Sequence, residues 1–232
     1  MGRIKKKRGK TSISGLAGNI EIYNVKGETF FKAHAKKHKK SRSKEAVAGR
    51  SNFASVVKFA REIIKVPELK EVWSHSSLEG RNEFQKLIRY NMPLAFEGDL
   101  TIKNFCTPKG VKLYIPDLSL EEETLSFAFD VYGVIKPPLK IHLLYYMYNC
   151  KWKDSFDFLV TSNCINISQE NSGKFRKNGE SKYVIKQKLE TSVTETLSYF
   201  KDVIVFVAVT GTPTIAKRKG WTNTVGFDIP QI

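Results

Sequence analysis

The apolar residues of this chain change their spacing once. Over residues 43–66 they recur every third or fourth position, and from Leu100 onward every second position. A single change of this kind reads as a helical segment followed by sheet. In the first stretch Phe53, Val56, Val57, Ala60, Ile63 and Ile64 define one helical face, while Lys58, Arg61, Glu62 and Lys65 fall elsewhere. Ser43 is placed to cap the start, Glu45 sits in the first turn where a carboxylate favours the helix dipole, and Pro67 stops the pattern. The expectation is one long amphipathic helix with a face that docks. Shorter helices follow over 68–75, with Leu69, Val72 and Trp73, and over 78–91, with Phe84, Leu87 and Ile88. Met92-Pro93 closes this region.

The period-two region reads as strands over 111–115, 124–131, 139–148, 156–161, 164–167, 183–189, 203–209 and 222–229, with no long helix between them. Leu125, Phe127, Phe129 and Val131 alternate with Ser126, Ala128 and Asp130, the pattern of a half-buried strand. Short strands at this spacing predict an α+β, mainly β chain in which residues 99–232 form an antiparallel β-sandwich of immunoglobulin or fibronectin type, with a barrel as the alternative. The helical segment is 43–98, and 1–42 is a basic, glycine-containing arm. Within it residues 1–11 read as mobile, and residues 12–31, with Gly15, Gly18 and Gly27, as a short hairpin.

Charge is placed unevenly. Residues 1–50 carry 15 Lys and Arg against Glu21, Glu28 and Glu45, a net of +12, whereas residues 51–232 hold 24 against 20. Such a segment attracts polyanions. Lys5, Lys6, Lys7, Arg8 and Lys10, with Lys36, Lys37, Lys39, Lys40, Arg42 and Lys44, are the candidate contacts for an acidic partner, either nucleic acid or protein.

Nothing in the spacing of reactive residues points to catalysis. Of the four histidines, His34 and His38 lie among lysines that repel a metal cation, His75 ends a helix, and His142 falls inside a strand as a core residue. Glu121-Glu122-Glu123 lacks the spaced oxygens of a calcium loop and reads as a solvated turn. Gly15 and Gly18 lack the lysine–hydroxyl pair of a phosphate loop. Cys106, Cys150 and Cys164 show no metal spacing and no disulfide framework, and read as small buried apolar residues. Tyr145, Tyr146, Tyr148 and Trp152 beside lysines, and Trp221 after Lys217-Arg218-Lys219, fit core packing better than base stacking. The chain has no apolar stretch of signal-peptide or membrane-spanning kind. The expectation is a non-enzymatic protein without metal, cofactor or small-molecule substrate, cytoplasmic or particle-associated. It acts by binding an acidic macromolecule, as a homo-oligomer or within a larger assembly such as a phage-type particle, or alternatively as a nucleic-acid-binding protein.

Taken together, Ser14, Gly15, Gly18, Asn19, Tyr23, Gly27, Arg50 and Phe53 form a pattern: Ser-Gly-x-x-Gly-Asn, a short aromatic segment, a basic spacer and an Arg-x-x-Phe helix. It resembles the N-terminal signature of an uncharacterised family of Bacteroidota proteins, as does Lys109-Gly110 ahead of the first strand. The chain departs from that family in lacking a Gln in the spacer before Arg50 and in a more lysine-rich arm. The resemblance implies a terminal β-sandwich and no nameable activity.

Overall fold

The computed structural model describes residues 3–7, 10–17, 20–25, 28–33, 42–121, 123–132, 135–150, 158–167, 181–212 and 220–230. It divides into two compact units, Met1–Arg42 and Ser43–Ile232.

The first unit is an antiparallel meander of β1 (Arg3–Lys7), β2 (Lys10–Ala17), β3 (Ile20–Val25) and β4 (Glu28–Ala33), paired in that order. Residues expected to be a mobile arm therefore include a strand, and the expected hairpin is part of a four-stranded sheet. The register gives the physical reason. Ile4 stands opposite Ile13, Ile20 opposite Ala33, and Ile22 opposite Phe31. Isolated apolar residues in a basic run look like noise along the chain, yet they align once the strands pair.

The second unit opens with α1 (Lys44–Lys65), capped as expected: the Ser43 side chain accepts from the Ala46 N–H at 3.2 Å. α2 (Pro67–Ser74) follows directly, and α3 (Glu83–Asn91) starts later than its sequence pattern suggests because Asn82 supplies the cap, accepting from Gln85 N–H at 2.8 Å. Five strands of the β region match the expected series: β5 (Lys112–Tyr114), β7 (Thr124–Tyr132), β8 (Lys136–Cys150), β10 (Ser181–Lys188) and β11 (Phe200–Thr212). β12 (Val225–Pro230) closes the order, and β9 (Phe158–Ile167) is one strand where two were expected. β6 (Leu118–Glu121) and α4 (Thr191–Ser198) were not foreseen. The Thr- and Val-rich α4 has strand-like composition, and its helix is fixed by burying Val193 and Leu197, four residues apart, against the sheet core.

The unit is thus α+β and mainly β, with two antiparallel sheets. A front sheet runs β10-β7-β5, with β6 also paired to β7, and a central sheet runs β12-β11-β8-β9. One apolar core lies between them: Leu125, Phe127, Phe129 and Val131 meet Ile141, Leu143, Tyr145 and Met147 of β8 and Val203, Val205, Val207 and Val209 of β11. The opposite face of the same two strands carries Leu144, Tyr146, Ile204, Phe206 and Ala208, and these form a second core with Val56, Phe59, Ala60 and Ile63 of α1, Leu69 and Trp73 of α2, and Leu87 of α3. The helices therefore cover a face of the central sheet that a two-layer sandwich leaves to water.

In α1 the docking face differs from the sequence reading at one residue. Phe53 is 51% exposed, and Phe59 is fully buried in the core against Phe206, ring centroids 5.0 Å apart. Half-buried Asn52 and buried Ser55 turn this side of the helix polar. Asn52 Nδ2 donates to Ala95 O at 3.2 Å, Gly98 N–H donates to Asn52 Oδ1 at 2.6 Å, and Ser55 Oγ donates to Gly98 O. The turn at 95–99 occupies that side of the helix, so Phe53 points outward.

The ends of the unit are tied by a polar ladder. Thr224 Oγ1 accepts from the N–H groups of Cys106 and Thr107 at 3.0 and 2.9 Å, Thr222 Oγ1 accepts from Val209 N–H at 2.9 Å, and Val111 N–H donates to Trp221 O at 2.9 Å. Gly110 is required here, because a Cβ at this position would lie 2.4 Å from the Trp221 carbonyl oxygen.

Phe206→Ala removes a ring shared by the central sheet and α1, and is expected to lower stability by about 3–5 kcal/mol. Urea unfolding of the full chain, followed by far-UV circular dichroism, measures it.

Candidate functional site

The basic N-terminal unit is the first candidate. Lys5, Lys6 and Lys7 lie in β1 and Lys10 opens β2, while Arg42, which ends the first unit, and Lys44, which opens α1, are exposed. Arg8, Lys36, Lys37, Lys39 and Lys40 lie outside the described residues, as do His34, His38, Gly18, Asn19 and Gly27. Residues 1–42 hold 13 Lys and Arg against Glu21 and Glu28, and so carry +11 of the chain's +16. Strand pairing concentrates this charge, since the register sets Lys7 directly opposite Lys10. Like charges at opposed positions are unfavourable. Of the remaining signature residues, Gly15 lies in β2 opposite Ile22, and Arg50 and Phe53 are exposed on α1.

A second polar centre sits under α2. His142 of β8 is 1% exposed, its Nε2 lies 2.8 Å from Thr210 Oγ1, and no hydrogen-bond partner of its Nδ1 is found among the described residues. Burial pulls its pKa down to about 4, opposed by Glu68 and reinforced by Lys140. Glu68 and Lys140 form an ion pair that pins the start of α2 to β8. The bond from Lys140 holds the Glu68 carboxyl below its ordinary range, and the same bond raises Lys140. Cys164, opposite His142 across β9, is exposed, and partial burial raises its thiol pKa. Cys106 is buried as expected, with its thiol pushed up to about 12 by burial, but against that expectation Cys150 is only half-buried and Cys164 is exposed.

A third centre fastens the 95–99 turn. Tyr146 donates its hydroxyl hydrogen to Asp99 Oδ1 at 2.5 Å, and burial, then the Asp99 bond, push its pKa up. Glu97 and Gly98 adopt φ of 50° and 106° in that turn. Tyr148 lies where Asp228, Asp202 and Asp99 add to burial in raising its phenol to about 12. Among the described residues, no group of three or more His, Cys, Asp or Glu side chains is placed to hold a metal ion. No helix among them is long and apolar enough to cross a membrane.

Of the aromatics singled out in sequence, Tyr145 and Tyr146 are fully buried, while Tyr148 and Trp221 are half-buried, Trp221 Nε1 donating to Pro108 O at 3.3 Å. Trp152 and Lys217-Arg218-Lys219 lie outside the described residues. A different pair faces solvent. On the front sheet Tyr114 and Tyr132 are 46% and 42% exposed with ring centroids 6.4 Å apart, and Lys112 Nζ lies 5.5 Å from the Tyr132 centroid. The sequence signal for this pair is slight: each tyrosine sits at the polar phase of an alternating strand.

No protein-family model, curated protein or solved structure matches the chain.

Because the folded pKa of His142 lies below the unfolded value near 6.5, the unfolded chain binds the extra proton as pH falls. The stability held above pH 6.5 is therefore lost between about pH 6.5 and 4, by about 3 kcal/mol from this group. Thermal unfolding across this range is expected to show a steeper acid loss in the natural chain than in His142→Gln, which keeps a donor toward Thr210 and does not titrate.

Proposed function

We propose that the chain is a non-catalytic binding or structural protein whose basic N-terminal unit engages an acidic macromolecule. The observation that carries this reading is the concentration of +11 of the chain's +16 charge in its first 42 residues, the unit that contains β1–β4. The body supplies a rigid platform through its two-sheet structure. An immunoglobulin or fibronectin type of sandwich is an expectation of fold that carries no activity, and a place within a particle or other assembly is analogy of the same kind. The likeness of the Ser14–Phe53 pattern to the uncharacterised Bacteroidota family adds an expected fold only.

A nucleic acid is the second reading, favoured by one observation in the body. Tyr114, Tyr132 and Lys112 combine exposed aromatic faces with a cation on one sheet surface, the combination that stacks single-stranded bases.

Neutralising β1 separates these readings. Lys5→Gln, Lys6→Gln and Lys7→Gln together are expected to weaken binding to heparin and to a single-stranded oligonucleotide, and to reduce the slope of log affinity against log salt by about 0.7 per lost phosphate contact on the oligonucleotide. Fluorescence anisotropy at several salt concentrations reads this. Binding that ignores both salt and the substitutions contradicts the proposal, while Tyr132→Ala weakening the oligonucleotide alone selects the second reading.

A further inference from the structure

The buried imidazole of His142 uses one of its two nitrogens. Nε2 lies 2.8 Å from Thr210 Oγ1, and Nδ1 meets no partner among the described residues. A neutral ring carries one N–H, which Thr210 Oγ1 accepts, and leaves Nδ1 a lone pair; a protonated ring carries two and needs a second acceptor. The elements around the ring differ in what they offer. β11 offers Thr210, already bonded to Nε2, and β9 offers Cys164, a weak acceptor at the opposite register position. Among the described residues the charged groups that act on the ring are Glu68 of α2, which favours a proton there, and Lys140 of β8, which opposes it. The Glu68 carboxylate is the strong acceptor of this set, and it is bound to Lys140.

The two ends of α2 are held differently. Its start is pinned to β8 by that ion pair, beside the first backbone bond of the helix, Lys70 N–H to Val66 O at 3.0 Å. Its end is held by backbone carbonyls: Trp73 Nε1 donates to Cys106 O at 2.7 Å, and Lys86 Nζ donates to Trp73 O at 3.2 Å. Acid therefore acts on one end alone.

We propose that the start of α2 is an acid-released strap: a second proton on His142 draws the Glu68 carboxylate from Lys140 to Nδ1, and the first turn of α2 gives way while its end stays in place. The proton comes from solvent and no covalent bond changes. Burial keeps the ring neutral until pH falls toward about 4, so the strap is closed at neutral pH. The inference rests on the bonding around His142, not on the polyanion reading, and its test contains no polyanion.

Residue-resolved hydrogen exchange on the full chain, followed from neutral pH down to about 4 and corrected for the intrinsic pH dependence of exchange, tests the strap. The Lys70 amide is expected to lose protection by about tenfold or more as His142 takes its proton, while the Trp73 indole N–H and the amides of β8 and β11 keep theirs. His142→Gln does not titrate and is expected to hold Lys70 protected across the range. Glu68→Gln, at a half-buried position outside both apolar cores, removes the pin and is expected to leave Lys70 fast at every pH. Lys70 protection that ignores pH in the natural chain overturns the proposal. So does acid release that is as large in H142Q, a rise that is equal in β8 and β11, or an E68Q chain as protected as the natural one.

Discussion

The body of this protein depends on the pairing of β8 with β11, whose register runs from Phe200 opposite Cys150 to Thr212 opposite Lys136. Both faces of these strands are buried. Alternate residues of one pair of strands feed the core shared with the front sheet, and the residues between them feed the core shared with the helices. No face of the pair is left for solvent, so a one-residue slip would exchange Val205 and Tyr145 with Phe206 and Tyr146 between two cores of different shape. Each core thereby fixes the register needed by the other. Buried polar groups within this frame are bonded chiefly to their own structure: Tyr146 to Asp99, His142 to Thr210, Ser55 to the 95–99 turn.

This arrangement also marks how far the sequence was readable. Val203–Val209 and the run from Ile141 to Met147 are almost continuously apolar, and antiparallel strands with one wet face do not read this way. That signal went unused in the sequence reading, and the structure explains it by a central sheet covered on both sides. Period-two alternation in Thr124–Tyr132 located β7 because one face of that strand is wet. The long helix was legible from spacing and caps, but Phe53 was misplaced because hydrophobicity alone does not register that half-buried Asn52 and buried Ser55 hydrogen-bond to a turn over 40 residues away. β6 and α4 escaped because four residues are too few for a period, and because Thr and Val in α4 favour strand until tertiary contacts outweigh propensity.

The N-terminal unit was obscured for another reason. Its charge dominates any composition window, hiding two-residue separations between strands, each of which holds a glycine: Arg8-Gly9, Gly18-Asn19 and Lys26-Gly27. Two-residue spacers with glycine are the hairpin signal, and here they outrank the disorder signal of the basic run. The candidate contacts Lys5, Lys6, Lys7 and Lys10 were legible from charge, whereas their fixed spacing along strands was not. Backbone fixed in a sheet loses less freedom on binding than backbone of a disordered arm, which favours the proposed engagement of a polyanion.

The most direct measurement is amide hydrogen exchange on the full chain with and without saturating heparin, resolved by peptide mass spectrometry. If the N-terminal sheet is the binding unit, exchange slows in peptides from 3–33 and stays unchanged in the helices and in both sheets of the body. Protection confined to the body, or none anywhere while heparin is bound, contradicts the account.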